Sequence, residues 1–207
     1  MLQTAVALAA RDGIESLTMR KLADELRAGA MSLYHYVANK DELLDGMVDI
    51  VFSEIEVPSD GVDWKTAMRR RAISAREALL RHRWAIGLME SRKNPGPANL
   101  RHHDAVMGCL REAGFSFEAT VHASSVLDAY VYGFALQEKS LPSLEAGEET
   151  ARILDARRER VPIDEYPYLV EVVTELPKSG YNFATEFEFG LDLILDGLDR
   201  YRAAPET

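Results

Sequence analysis

Thr18 to Lys40 reads TMRKLADELRAGAMSLYHYVANK, and the spacing of its apolar residues decides the fold. Leu22 and Leu26 stand at i, i+4, and Leu33 and Val37 repeat that spacing farther on. Each pair marks one face of a short helix. Between them lies Arg27-Ala28-Gly29-Ala30, the length of the turn in a helix-turn-helix unit. Ala23 is small enough to let a second helix cross closely. With Leu33 and Val37 turned inward, Ser32, Tyr34, His35 and Tyr36 project outward from the second helix. A helix of that kind can lie in a DNA major groove with its first residues at the base edges.

Leu17-Thr18-x-Arg20-x-Leu22-Ala23-x-x-Leu26, followed by Leu33-Tyr34-x-x-Val37-x-x-Lys40-x-x-Leu43-Leu44, resembles the DNA-binding module of the TetR family of transcriptional regulators. The resemblance implies that Thr18, Arg20, Ser32, Tyr34, His35, Tyr36 and Lys40 meet double-stranded DNA. Tyr34 and Tyr36 suit a thymine methyl, a sugar or a phosphate, Ser32 a base edge or phosphate, and Lys40 the backbone charge. For each, the alternative is helix packing or a solvent-facing side chain. Thr18 is also a good N-cap, and capping is compatible with a phosphate contact. Met19 and Ala30 stand where the family often reads bases with polar side chains. Neither makes a bidentate contact, so readout leans on Arg20 and apolar contacts. The family usually has glycine after Leu26, where the turn takes positive φ. Arg27 stands there instead, at a cost of about 1 kcal/mol, with Gly29 near enough to share the turn.

The chain of 207 residues is long enough for one or two compact domains, and 47% hydrophobic residues supply a sizeable core. No run approaches the roughly twenty apolar residues of a membrane span. No signal peptide precedes the first helix, so the expected location is the cytoplasm. Cys109 is the single cysteine, which excludes an intrachain disulfide; its plain reading is a small buried hydrophobe. The net charge of −10 argues against a simple nucleic-acid binder, and residues 1–49 carry five basic side chains against eight acidic ones. Phosphate binding needs local positive potential, which Arg20, Lys21 and Lys40 supply if they share a face. Modest affinity with steep salt dependence is the expectation. Relatives often carry a basic arm before the first helix. This chain begins almost at that helix, so such an arm is missing or was not included.

In chain order, residues 2–12 read as a helix with Leu2, Val6 and Ala9 inward, ended near Gly13. The recognition helix is expected over about Met31–Tyr36. Asn39 caps the next helix, with Glu42 at N3 as in a capping box; Leu43, Leu44, Met47, Ile50 and Val51 form its apolar stripe. The domain boundary is placed inside that helix, giving a helix-turn-helix DNA-binding domain at 1–47 and a helical effector-binding and dimerisation domain at 48–207. A shared helix transmits a displacement. Pro58-Ser59-Asp60-Gly61 is a break. Helices follow over Trp64–His82 (Met68, Ala72, Ala75 and Leu79 inward) and Trp84–Ser91. Another is opened by Asn94-Pro95 and closed at Gly114. A long helix, Phe117–Ser140, is capped by Ser116, with Val121, Leu127, Tyr130, Val131 and Phe134 inward. Leu141–Glu149 reads as a mobile loop and Arg152–Arg160 as a short exposed helix. Further helices span Pro167–Leu176 and Phe183–Tyr201, the last with Phe187, Leu191, Ile194, Leu195 and Leu198 on one face. No segment reads as a strand, so the fold class is all-α.

Gly114-Phe115-Ser116, Tyr132-Gly133-Phe134-Ala135-Leu136-Gln137-Glu138 and Phe187-x-Phe189-Gly190-Leu191-x-Leu193-Ile194-Leu195-x-Gly197-Leu198, with Trp64 and Leu79-Leu80-x-His82-Arg83, resemble the tetracycline repressor branch of the family. The resemblance implies a homodimer whose long helix and last helix pair with their copies in a four-helix bundle. Gly133, Gly190 and Gly197 then permit close approach, beside Leu191, Ile194 and Leu198. The alternative is that the glycines are tolerated, each at about 1 kcal/mol relative to alanine. The implied effector pocket lies inside the C-terminal helices. Met68, Trp84, Met89, His103, Met107, Tyr130 and Phe134 are its candidates, with Gln137 as a polar handle; ordinary core is the alternative for each. The polar drug and magnesium ligands of the tetracycline repressor have no counterparts at Ser53, Arg71, Met89, Arg92 and Gln137, which argues against tetracycline specificity.

His102, His103 and Asp104 are adjacent, with His122 on the next helix. Neighbours on a helix point about 100° apart, so His102 and His103 chelate poorly. No metal and no cofactor are expected. No glycine-rich phosphate loop, nucleophile elbow or pair of catalytic acids stands out, and no enzyme is expected. The favoured reading is a homodimeric repressor on a palindromic operator, released by a small molecule of unknown identity. The alternative is a helical small-molecule binding protein with a degenerate DNA-binding module. Its motives are the negative module charge, Arg27 and the lack of a basic arm.

Overall fold

The apolar stripes become helices α1 (Leu2–Asp12), α2 (Met19–Glu25), α3 (Ala30–Leu33), α4 (Lys40–Ser53), α5 (Trp64–Arg81), α6 (Pro97–Glu112), α7 (Phe117–Ser140), α8 (Pro167–Glu175) and α9 (Phe183–Ala203). Short 3₁₀ segments cover Ile14–Ser16 and Leu176–Ser179. The computed structural model describes residues 1–59, 61–140, 165–179, 181 and 183–203. Among these there is no strand, and no helix is long and apolar enough to cross a membrane. The chain divides into two compact units, Met1–Lys139 with Leu193–Thr207, and Ser140–Asp192. The segments read as a loop at Leu141–Glu149 and a helix at Arg152–Arg160 lie outside the described residues.

In the first unit, side chains set the helix starts and glycines the stops. Thr18, Asn39, Asp63 and Ser116 each accept a hydrogen bond from the backbone N–H three residues on, at α2, α4, α5 and α7. Glu42 reaches back, as in a capping box, but takes the N–H of Ala38 at 2.5 Å. Gly13 and Gly114 end α1 and α6 at φ 82 and 92, where a side chain is disfavoured. α1 touches α2 and α4, and α2 touches α3. Val6, Ala9, Leu22, Leu33, Leu43 and Met47 are buried in this small core. Leu2 is half-buried against Gly46, where an added Cβ would come within 2.9 Å of Leu2 Cδ2. α4 then packs on α5 and α6, so one helix belongs to both assemblies.

Behind it, Met68, Ala72, Ala75 and Leu79 of α5 are buried, as are Val106 and Leu110 of α6 and Leu127, Val131 and Phe134 of α7. Arg76 of α5 grips Glu138 of α7 through two bonds, of 2.9 and 2.5 Å, and stacks over Phe134. The C-terminal half of α9 closes this unit. Lys65 pairs with Asp196, and Arg202 donates to the Ala113 carbonyl at 2.7 Å. In the second unit, Pro167 stands in the first turn of α8, and Phe187 and Leu191 are buried.

Three expectations are corrected. Residues 84–91 form consecutive turns instead of a helix. Their bonds are mainly i to i−3, from Leu88 to Ala85 and from Ser91 to Leu88, so no α ladder develops. α6 is opened by Gly96-Pro97, not Asn94-Pro95, because Gly96 lies against Asp49: a Cβ there would sit 2.3 Å from the Asp49 Cγ. Val121 is exposed on α7, where Leu127 and Val131 are buried.

Candidate functional site

The turn between α2 and α3 is a Schellman motif with arginine in the left-handed position. Arg27 has φ 52; its N–H donates to Asp24 O at 3.1 Å, and the Ala28 N–H to Ala23 O at 2.9 Å. Gly29 is extended at φ −74 and caps α3, so it takes no share of the left-handed strain. α3 itself is four residues long. Tyr34, His35 and Tyr36 continue it at 3₁₀ pitch, each N–H bonded to the carbonyl three residues earlier. Leu33 and Val37 are buried, as their spacing requires.

That geometry leaves Ser32, Tyr34, His35 and Tyr36 exposed together, Tyr36 at 76% and Met31 beside them at 77%. Ser32 Oγ donates to Gly29 O at 2.6 Å, leaving its lone pairs outward as acceptors. Thr18 Oγ1 accepts from Lys21 N at 3.1 Å, so its own hydroxyl hydrogen remains available. Arg20 and Lys40 are exposed. Lys21 is engaged instead with Asp12 at 2.9 Å and Ser16 at 3.3 Å. Arg11 holds Asp12 at 3.0 Å and Glu25 at 3.3 Å. Bonds from Arg11 and then Lys21 keep the Asp12 carboxyl down at about 2.

Three carboxylates of α4, Asp41, Asp45 and Asp49, lie one turn apart on one face. Arg92 donates through Nε to Asp45 at 2.5 Å and through Nη2 to the Asp41 carbonyl and carboxylate, both at 3.0 Å. Asp49 Oδ1 accepts from Asn99 N at 2.9 Å and so caps α6 from a different helix. A side chain at residue 96 would have to displace Asp49, whose Cγ would stand 2.3 Å from an added Cβ. A cleft of about 670 Å³ opens at this joint, with Tyr36, Val37, Asp45 and Pro97 among its lining. Sequence reasoning missed this clamp. Its one signal is an Asp repeat at i, i+4, i+8 with no basic partner on its own helix.

Sequence reasoning also missed a polar cluster between α5, α6 and α7. Arg71, 2% exposed, donates through Nε to His102 Nε2 at 3.0 Å and through Nη2 to Asp128. Burial, and then the charges of Arg71 and His103, push the His102 ring down to about 3. Burial and Asp128 raise Tyr132, whose hydroxyl bonds Glu90. Arg71 Nη1, His102 Nδ1 and Trp84 Nε1 are buried with no partner among the described residues. Each such atom left unbonded costs about 1–3 kcal/mol. The phenyl ring of Phe52, on α4, packs on His102 and His103 at 5.4 and 5.7 Å between centroids.

Of the effector candidates, Met68, Trp84, Met89 and Phe134 are buried, His103, Met107 and Tyr130 half-buried, and Gln137 exposed. Tyr130 and Phe134 meet at 6.0 Å, and His103 joins His102 at 5.6 Å. Neither the joint cleft nor a second one of about 520 Å³ beside Trp64 and Cys109 is lined by any of them. Among the dimer candidates, Gly133 is exposed with nothing within 4 Å of an added Cβ. Gly190, Ile194, Gly197 and Leu198 are half-buried. Leu191 is a correction: it is fully buried within the single chain, which leaves no side-chain surface for a partner. Sequence reasoning missed the outward face of α7, where Phe117, Val121, Val126 and Leu136 flank Ser125, Ala129 and Gly133. Among the described residues no group of three or more His, Cys, Asp or Glu is placed to hold a metal ion.

A short, exposed helix after a tight turn, on a small helical module whose last helix is gripped by the domain behind it, is the arrangement of a helix-turn-helix DNA-binding protein. Residues 1–47 match the family described as bacterial regulatory proteins, tetR family, and residues 57–202 match the tetracyclin repressor-like C-terminal domain. The chain belongs to the TetR family. It is 33% identical to an HTH-type transcriptional regulator of Saccharopolyspora erythraea over 96% of this chain and 82% of that one. It is 34% identical to the HTH-type transcriptional repressor DrrR1 of Streptomyces coeruleorubidus over 96% and 76%. Among solved structures, ActR of Streptomyces coelicolor in complex with actinorhodin superposes with a TM-score of 0.81 at 30% identity, covering 98% of this chain and 96% of that one.

Proposed function

We propose that the chain works as a homodimer that represses transcription from a palindromic operator and lets go when a small molecule enters its C-terminal domain. The observation that carries this reading is the exposed set Ser32, Tyr34, His35 and Tyr36 on a helix whose two ends are fixed by bonded turns. Thr18 and Lys40 supply phosphate contacts, and Arg20 with the exposed tyrosines supplies readout. Two copies read half-sites about one helical turn apart. The DNA-binding domain ends at residue 47, inside α4, and the effector and dimerisation domain takes the rest. The outward face of α7, with Gly133 at its centre, pairs with Gly190, Ile194, Gly197 and Leu198 of α9 in a bundle between copies. The effector pocket is bordered by Met68, Trp84, Met89, His103, Met107, Tyr130, Phe134 and Gln137. Bound effector favours a dimer whose recognition helices are spaced wrongly for the operator, and DNA must weaken effector binding by the same factor. The protein works in the cytoplasm, where its operator is.

The test is selection from a random DNA library at about 50 mM salt, where few phosphate contacts still give measurable binding. A palindromic motif is the expected result, and Tyr34→Ala should weaken one position of each half-site while Lys40→Ala weakens all sequences alike. A folded dimer that enriches no motif overturns the reading in favour of a helical binding protein without a working DNA module. The net charge of residues 1–49 is the observation on that side.

A further inference from the structure

Met31 is the second residue of α3, after the N-cap Gly29 and Ala30, and it is 77% exposed, more than either tyrosine that follows. Tyr34 and His35 stand at i+3 and i+4 from it and are exposed, whereas Leu33 and Val37 are buried. Met31 therefore belongs to the outward face of the recognition helix. Helical side chains lean toward the N-terminus of their helix, the end that a recognition helix presents to base edges. An apolar side chain of this size gains by burial, and the fold itself leaves it in water.

The first turn of α3 has no side-chain donor to offer. Ala30 has none, Met31 ends in a thioether, and Ser32 gives its one hydroxyl hydrogen to Gly29 O at 2.6 Å. Guanine shows only acceptors in the major groove, so the side chains of this turn cannot read it by hydrogen bonds. Adenine and cytosine show an amino donor there, which a thioether accepts poorly. Thymine alone among the four bases shows a methyl group. We propose that Met31 reads one thymine in each operator half-site through that C5 methyl group, and is thus a specificity-determining residue. The inference rests on the DNA-binding function proposed above. It adds one letter of the operator and the chemistry that reads it. An apolar contact needs no positive potential, which suits a module with five basic side chains against eight acidic ones. The same contact accepts 5-methylcytosine, whose methyl group stands at the same ring position.

The full-length protein first selects a motif from the random DNA library. Each thymine of the recovered duplex is then replaced by deoxyuridine, which lacks only the methyl group, in both half-sites together. One buried methyl contact is worth about fourfold, so the paired replacement at the thymine of Met31 should weaken wild-type binding about fifteenfold. In Met31→Ala the thymine and deoxyuridine duplexes should bind within about twofold of each other at that position, while the effects at other thymines persist. Met31→Leu, still apolar, should keep at least about a fourfold preference for thymine. With cytosine at that position wild-type binding should fall, and 5-methylcytosine should recover about fifteenfold of it. Both variants replace an exposed residue by a good helix former, so their melting temperatures should match the wild type. A motif in which no thymine loses its deoxyuridine effect in Met31→Ala overturns this inference and leaves the proposed function standing. A folded dimer that selects no motif overturns both.

Discussion

Arg27 holds the left-handed position of the α2–α3 turn at φ 52, where an L side chain costs about 1 kcal/mol. Glycine relieves that strain and loses part of the gain to its own freedom in the unfolded chain. Arg27→Gly should therefore raise stability by less than about 1 kcal/mol. It would be read as a higher urea midpoint with unchanged slope, at fixed protein concentration. A lower midpoint would show that the arginine side chain stabilises the turn. His102 makes a pH prediction. Its folded value of about 3 lies below the ordinary 6.5, so between these the unfolded state binds more protons and stability falls as pH falls. The slope reaches about 1.4 kcal/mol per pH unit for one proton. His102→Gln should flatten the decline between pH 6.5 and 3.5 relative to wild type; parallel curves would mean the ring is protonated in the fold. The positive φ at residue 27 was legible through the family resemblance, in which glycine usually holds that place in the turn. The role of His102 was not, because its partner Arg71 lies 31 positions away on another helix, and Arg71 is itself held by Asp128, 57 positions from it on a third.

At the scale of elements, the caps carry separable roles. Thr18→Ala removes the α2 cap and should cost about 1 kcal/mol. If Thr18 also meets a phosphate, Thr18→Asp, which keeps a good N-cap but brings a negative charge, should weaken operator binding while the melting temperature holds; unchanged binding would leave capping alone. Gly96→Ala is expected to be costlier than an exposed glycine change. The new Cβ must displace Asp49, which caps α6, and overpacking of this kind costs about 1–3 kcal/mol. Calorimetry of the variant against Gly29→Ala, which has open space around it, checks the difference. The starts of α2, α4, α5 and α7 were readable because each cap is a side chain bonding three residues on. The start of α6 was misread by two residues because Asn94-Pro95 and Gly96-Pro97 are both cap–proline pairs. Only Asp49, from another helix, distinguishes them. Residues 84–91 have a helical composition, and nothing local announces the i to i−3 bonding they adopt.

Across the whole molecule, assembly should depend on the outward face of α7. A Cβ at residue 133 meets nothing within 4 Å among the described residues, so in Gly133→Leu helicity should persist while sedimentation shows a monomer and operator binding fades. A dimer that survives the change would place the interface elsewhere. The charge of the DNA-binding module has a related answer in the structure. Asp12 and Glu25 are held by Arg11, and Asp41, Asp45 and Asp49 face Arg92 and the start of α6. These five of the eight carboxylates of residues 1–49 are thus engaged by arginines or a backbone N–H within the fold. The same three carboxylates set a rule for grafting. A recognition module taken from a relative would fit this effector domain only if its connecting helix brought aspartates in register with Arg92 and Asn99. Hybrids cut just before Lys40 should keep both induction and the donor's operator preference, whereas hybrids cut farther along α4 should bind DNA but answer poorly to the effector.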